Sequence, residues 1–464
     1  MADSEADRAL QDDLDDDDSG QSAALAQLRG LGDEASHLVP EPHSLAETGL
    51  GQQLLAELVI KTIYHGGRLT GHDIAQTVKL PFIIVQEVLA YLKAEGFVEV
   101  VGSQGVSEQA YEYSLSNRGR EKAIEAIRRS PYHGPAPVPV DQYISVLTRM
   151  QAEQPIINRE ALALFAQDLV LKDDMVQMIG PAINSGEPIF LYGPTGNGKT
   201  SLALALGRSI ASMEPVFVPY VVEVGGQLVR VFDPVIHHEV QEERSGVFYL
   251  FPGLASKPAF DRRWVQIQRP LVVVGGELTM SKLDPSFEPA EGLYHAPLQM
   301  KANGGTLVID DFGRQPMPPA DLLNRWIIPL ERHTDNISLA TGQTFAVPLQ
   351  LVVIFATNLE PSDLLDEAYL RRLPYKVPVE NPTPDQYRLI FERIAAKKGL
   401  EYGDREMDYL FSWYGREGIP LRACHPTALV SHALQICSFE GWPPSLSAPI
   451  VDRACALYFA GKRE

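Results

Sequence analysis

The eight residues Gly193-Pro-Thr-Gly-Asn-Gly-Lys-Thr200 constrain this chain more than any others. They follow a short apolar run, Pro188-Ile-Phe-Leu-Tyr192, suited to a buried strand. They precede Ser201–Ile210, where Leu202, Ala203, Leu204, Ala205 and Leu206 read as a helix. Strand, glycine loop and helix in that order form a phosphate cradle. Gly193, Gly196 and Gly198 let the backbone curl so that its N–H groups point inward. Pro194, Thr195, Asn197 and Ser201 complete the loop. Inward amides beside a helix N-terminus suit an anion. Lys199 is expected to reach the β- and γ-phosphates of ATP, and Thr200 to place its hydroxyl on Mg²⁺.

A second phosphate-handling element is expected to be an apolar strand ending in carboxylates. Thr306-Leu-Val-Ile-Asp310-Asp311 fits. Asp310 is the expected Mg²⁺ ligand, and Asp311 the group that orients and polarises the attacking water. A third element, Leu351-Val-Val-Ile-Phe-Ala-Thr357-Asn358, is another buried strand with an amide at its tip. Asn358 is placed to hold the water or a γ-phosphate oxygen.

In this order the three elements resemble the AAA+ ATPases, from about Tyr143 to the C-terminus. The resemblance implies an adenine-side segment, matched in position by Leu169-Val170-Leu171 and Met178-Ile179-Gly180. It implies that Asn358 is the first sensor. It also implies an arginine finger reaching the neighbouring subunit's ATP, for which Arg372 is the first choice and Arg371 the second. Two features depart from the family. Asp311 stands where Glu is usual, one methylene shorter, which implies slow hydrolysis; the Ile-Asp-Asp pattern resembles initiators and helicase loaders. The second-sensor arginine is missing, because its expected place holds Thr427; Arg422 lies one turn earlier. Four helices, Pro384–Lys398, Glu406–Gly415, Pro426–Phe439 and Pro449–Ala460, match the family's lid.

Between Lys199 and Asp310 the chain is longer than such a core needs, so an insertion is expected at about 214–300. Tyr220–Val224 and Gln227–Phe232 flank Gly225-Gly226 and alternate with period two, the pattern of a β-hairpin. Trp264–Val274 and Glu277–Leu283, again split by Gly-Gly, are expected as a second ribbon, with the aromatic Val247–Gly253 between. Loops that grip a partner in a ring's pore and a packed decoration both remain open for this region. Ala302-Asn-Gly-Gly-Thr-Leu-Val-Ile-Asp resembles the same approach in enhancer-binding activators, and the MoxR and magnesium-chelatase branches are closer in character. His237-His238 has no third ligand nearby and is not expected to hold a metal.

The chain carries a net charge of −20 over 464 residues. That balance disfavours a large sequence-blind grip on nucleic acid, which needs clustered Lys and Arg. Part of the excess lies in Asp12, Asp13 and Asp15 to Asp18, and residues 1–48 are expected as a disordered acidic tail. Residues 49–130 read as three helices (53–65, 70–79, 81–95), two strands (97–101, 110–115) and a closing helix (118–129). Around Asp73-Ile-Ala-Gln and Leu89-Ala-Tyr-Leu-Lys-Ala-Glu-Gly-Phe-Val-Glu this resembles a winged helix-turn-helix. Its third helix offers Gln86, Glu87, Lys93 and Glu95 but no arginine, so docking to a protein is favoured over reading DNA. Residues 131–142, with four prolines from Pro131 to Pro139, are expected as a stiff spacer.

The expected architecture is therefore α/β: a P-loop core at 143–380, a helical lid at 381–464 and an N-terminal winged helix. ATP and Mg²⁺ are the expected ligands. The resemblance implies a homo-oligomeric ring, most often a hexamer, coupled to an unidentified protein partner through the winged helix or the inserted hairpins. No stretch reaches the roughly 20 apolar residues of a membrane span. Three cysteines without metal spacing and no secretory signal pattern lead us to expect a reduced, cytoplasmic setting.

Overall fold

The computed structural model describes residues 37–152, 156–167, 169–240, 260–361 and 373–460. Residues 49–130 follow the expected order within about two residues. Helices Gln52–Gly66, Gly71–Val78 and Phe82–Ala94 precede strands Val98–Ser103 and Tyr111–Leu115 and the closing helix Asn117–Arg129. The second helix starts on a capping box in which Thr70 and Asp73 satisfy each other's backbone N–H groups. A short strand, Leu69–Thr70, had no signal of its own. It makes the sheet three-stranded, with Tyr111–Leu115 in the middle. Ile63, Ile74, Val78, Leu92 and Ala123 form the buried centre.

Two boundaries differ from expectation. The acidic tail was expected to reach residue 48, yet residues 37–48 lie on the large domain. Val39 is buried beside Tyr143 and Trp264, and Asp261 N–H donates to its carbonyl at 2.9 Å. The acidic run itself lies outside the described residues. The 131–142 stretch is also no free spacer. Ala136 and Val138 are fully buried, and Val138–Pro139 pairs in parallel with Val221–Val224. Burial of these apolar side chains outweighs the extended, solvated state that proline-rich composition alone favours. Arg263 joins the pieces. Only 1% exposed, it forms an ion pair with Asp261 at 2.7 Å and donates to the carbonyls of Thr48 and Pro137.

Among the described residues, the core sheet has five strands in the order Leu271–Val274, Thr306–Ile309, Val352–Ala356, Ile189–Tyr192, Tyr375–Pro378. All its pairings are parallel. Parallel sheets are covered on both faces, which is why these strands read as unbroken apolar runs. One face packs Ile189, Leu191 and Ile354 against Leu202, Leu206 and Ile179 of the flanking helices. The other packs Phe190, Leu307 and Phe355 against Phe312, Leu322 and Trp326.

The hairpin around Gly225-Gly226 is present as Val221–Val224 against Gln227–Arg230. Both glycines take positive φ, 53° and 86°, as a tight two-residue turn requires. The second expected ribbon is not formed. Trp264–Ile267 pairs instead with Val216–Pro219, Leu271–Val274 is the edge of the core sheet, and Met280–Leu283 is a 3-10 turn. Arg269-Pro270 separates the two strands, and the Leu-Val-Val-Val run suits a parallel sheet better than an exposed ribbon. Gly275-Gly276 is thus a strand-end loop. The described part of the insertion has its own packed centre, including Val222, Val229, Val265 and Ile267 with Tyr143 and Leu147. The aromatic stretch 247–253 lies outside the described residues. His237 is a buried structural residue: its Nε2 donates to the Lys301 carbonyl at 2.8 Å, its Nδ1 accepts from Asp233 N–H at 3.0 Å, and burial lowers its pKa.

The C-terminal helices are Pro384–Lys398, Asp404–Glu417, His425–Glu440 and Ala448–Tyr458. They close around Tyr387, Phe391, Met407, Val430 and Ala454. Among the described residues, no single helix is long and apolar enough to cross a membrane.

Candidate functional site

The site forms where the carboxyl ends of three neighbouring core strands meet, the usual crevice of an open α/β sheet. The central strand Ile189–Tyr192 runs straight into the glycine loop. Gly193 has φ 128°, and a Cβ there would lie 2.6 Å from the Val379 carbonyl oxygen. No side chain fits both that torsion and that contact. Gly196 and Gly198 also take positive φ, and Gly198 is the N-cap of helix Lys199–Ala211. The loop is therefore a chain of amides leading to a helix N-terminus.

Lys199 is 7% exposed. Its ammonium folds back to donate to the carbonyls of Gly193 and Pro194 at 2.8 and 2.9 Å. Burial holds its pKa below the usual lysine range, while the facing Asp310 and Asp311 carboxylates act the other way. Thr200 Oγ1 donates to Asp310 Oδ2 at 2.8 Å. A hydroxyl and a carboxylate so close are hard oxygen donors of the kind Mg²⁺ takes, so the residues present fit that ion.

Asp311 N–H donates to Asp310 Oδ1 at 2.9 Å, and Asn358 Nδ2 donates to Asp311 Oδ1 at 3.3 Å. The third strand supports this turn from below. Phe312 N–H donates to the Ala356 carbonyl, and Thr357 Oγ1 donates to the Phe312 carbonyl. Asp310, Asp311 and Asn358 thus converge as the sequence predicts.

These groups floor a cavity of about 1240 Å³ that runs from the loop to the lid. Val170 and Leu171 line it, while Ile179 is buried in the core instead. Arg393, Lys397 and Thr427 face it from the lid. Arg393 Nη1 also donates to the Gln167 carbonyl at 2.7 Å, which ties the lid to that wall. Helix spacing alone gave no reason to single out Arg393.

The lid touches the glycine loop directly. Arg422 Nη1 donates to Thr195 Oγ1 at 2.8 Å, and Cys424 N–H donates to the Gly196 carbonyl at 2.8 Å. Ala423 N–H reaches Asn197 Oδ1 at 3.3 Å, whose Nδ2 donates to Asn381 Oδ1 at 2.8 Å. Thr427 lines the cavity, and Arg422 touches the loop from one turn earlier. Arg371 and Arg372 lie outside the described residues.

Sheet order, glycine loop, strand-end carboxylates and the C-terminal helices define a parallel α/β core with a phosphate-binding type of loop under a helical lid. A protein-family model described as a domain of unknown function, DUF8689, matches residues 383–457, the lid. A comparison with curated protein sequences returns no match. Among solved structures, the chain is similar to NtrX from Brucella abortus in complex with ADP, with 16% identity, 71% of this chain and 64% of that chain covered, and a TM-score of 0.36. The chain thus spans slightly under two thirds of that NtrX chain. The ATP complex of the same protein gives 16% identity, 71% and 67% coverage, and a TM-score of 0.35. The Thermotoga maritima RuvB Holliday junction branch migration motor gives 13% identity, 65% and 70% coverage, and a TM-score of 0.35.

Proposed function

We propose that this chain binds ATP with Mg²⁺ and hydrolyses it, and that it couples the cycle to assembly or remodelling of a protein partner. The observation that carries the proposal is the 2.8 Å approach of Thr200 Oγ1 to Asp310 Oδ2 beside the buried Lys199. In this reading the loop amides hold the phosphates. Lys199 exchanges its two carbonyl partners for phosphate oxygens, a stronger charge-assisted pairing. Thr200 and Asp310 would hold Mg²⁺, which would supply positive charge against the phosphates. Asp311 accepts the proton of the attacking water, and Asn358 keeps the Asp311 carboxylate in line. Arg372, or Arg371, acts on a neighbour's ATP in a ring. Residues 49–130 are read as a winged helix that docks a protein.

An ATP-gated switch with slow turnover is the second reading. It is favoured by Asp311, shorter than the usual Glu, and by the direct hydrogen bond from the lid's Cys424 N–H to the Gly196 carbonyl. That bond makes loop and lid respond together to an occupied site.

Calorimetry with ATP and Mg²⁺, followed by a turnover assay across protein concentrations, tests the proposal. ATP binding that is lost in Lys199→Ala, and turnover that rises with concentration, are expected. Mixing Lys199→Ala with Arg372→Ala subunits should restore activity if the arginine acts in trans. Retained ATP affinity in Lys199→Ala overturns the site. Binding with negligible turnover at every concentration leaves the switch.

A further inference from the structure

The Asp310–Gln315 turn has an unusual centre. Asp311 takes φ 47°, a left-handed conformation that a non-glycine residue holds only where its surroundings demand it. Asp311 also lines the cavity, so this torsion decides where its carboxylate points. Besides the bonds from the third strand, a backbone bond runs from Arg314 N–H to the Asp311 carbonyl at 3.0 Å. The side chain of Gln315, which is 8% exposed, also holds the turn.

Gln315 Nε2 faces three carbonyl oxygens: Asp310 at 3.2 Å, Asp311 at 3.3 Å and Gly275 at 3.3 Å. Its Oε1 accepts from Gly313 N–H at 2.8 Å. These neighbours set the amide's orientation, because turning it over would press Oε1 against the carbonyls. They also set the residue type. Only a carboxamide supplies donors on one side and an acceptor on the other. Glutamate lacks the donors, and methionine lacks both functions. Through Gly275 the same side chain ties the turn to the end of the neighbouring strand Leu271–Val274.

We propose that Gln315 is a positioning residue for hydrolysis: its carboxamide clamps the Asp310–Asp311 backbone and so aims the Asp311 carboxylate at the water. The proposal rests on the hydrolytic reading given above. Gln315 does not line the cavity, so it touches neither nucleotide nor water and acts through the backbone that carries the Asp311 carboxylate. Asn358 steadies the carboxylate at its tip, and Gln315 steadies the backbone at its root.

The test is a double-mutant cycle on the full chain with Gln315→Met, Asp311→Asn and the combination. Gln315→Glu is a second probe that keeps the acceptor. In Gln315→Met, kcat is expected to fall at least about tenfold while the ATP Kd stays within about threefold of wild type. Added to Asp311→Asn, the same change should cost nothing further, because the group it positions is already gone. Thermal melts without nucleotide monitor folding. A Gln315→Met kcat within about twofold of wild type would overturn the proposal. So would a loss that multiplies fully with that of Asp311→Asn, or ATP affinity and melting temperature falling together with kcat in both variants. Failure of the underlying reading has a different signature, namely a wild-type chain without turnover or an Asp311→Asn chain that retains it.

Discussion

Thr200 and Asp310, 110 positions apart in the chain, meet at 2.8 Å in the lining of one cavity. The contact follows from sheet order. The strand that feeds the glycine loop and the strand that ends in Asp310 each pair with Val352–Ala356, so the ends of all three open onto one crevice. A hydroxyl, two carboxylates, an ammonium and an amide then share a small volume.

Asp311→Asn should leave ATP affinity near wild type and reduce turnover by about 10²–10⁴-fold. The amide keeps the shape of the side chain but cannot take the water's proton. Steady-state phosphate release beside a binding titration checks this. Unchanged turnover would assign the role to another residue.

Arg422→Ala should raise the ATP Kd roughly three- to tenfold, the effect of losing one charge-assisted hydrogen bond at an exposed site. The Arg422–Thr195 contact joins lid to loop, so its loss loosens closure over the nucleotide. A fluorescent-nucleotide titration reads this directly. An unchanged Kd would mean that the lid's grip passes through the Cys424 and Asn197 contacts alone.

Arg263→Ala should destabilise the fold by about 3–5 kcal/mol, because it leaves Asp261 as an unpaired buried charge. The pair joins the segment before residue 49, the 131–142 stretch and the insertion. Urea unfolding followed by signals from the N-terminal and core regions should show the two uncoupling. A loss under about 1 kcal/mol would mean that apolar packing alone holds the joint.

Lys61 gives a pH prediction with a definite sign. It donates to the Ser130 carbonyl at 3.0 Å, and burial pulls its pKa down to about 8. In the unfolded chain the value is about 10.4. Between these values the unfolded chain holds a proton that the folded chain has released, so stability rises with pH across that window. Below about pH 8 both states are protonated and the penalty is constant. Denaturation of wild type and Lys61→Met between pH 7 and 10 checks this, and the rise should be smaller in the variant by Lys61's share.

Much of the site was legible in the order of residues, because its parts are local. A glycine loop between an apolar strand and a helix, and two apolar strands tipped by Asp310-Asp311 and Asn358, each carry their chemistry in adjacent positions. Torsional freedom at Gly193 and the need to bury a parallel sheet follow from short-range rules. Local patterns therefore determined the core, the lid and the expected ATP and Mg²⁺ donors. Tertiary structure alone decided which strand Trp264–Ile267 pairs with, that residues 37–48 and 131–140 are packed, that Arg393 lines the cavity, and that Gln315 and Arg422 contact the Asp311 turn and the glycine loop. Those outcomes depend on contacts between segments far apart in the chain. Distant contacts leave no periodic trace, since a glutamine that clamps three carbonyls looks in sequence like any polar residue in a turn.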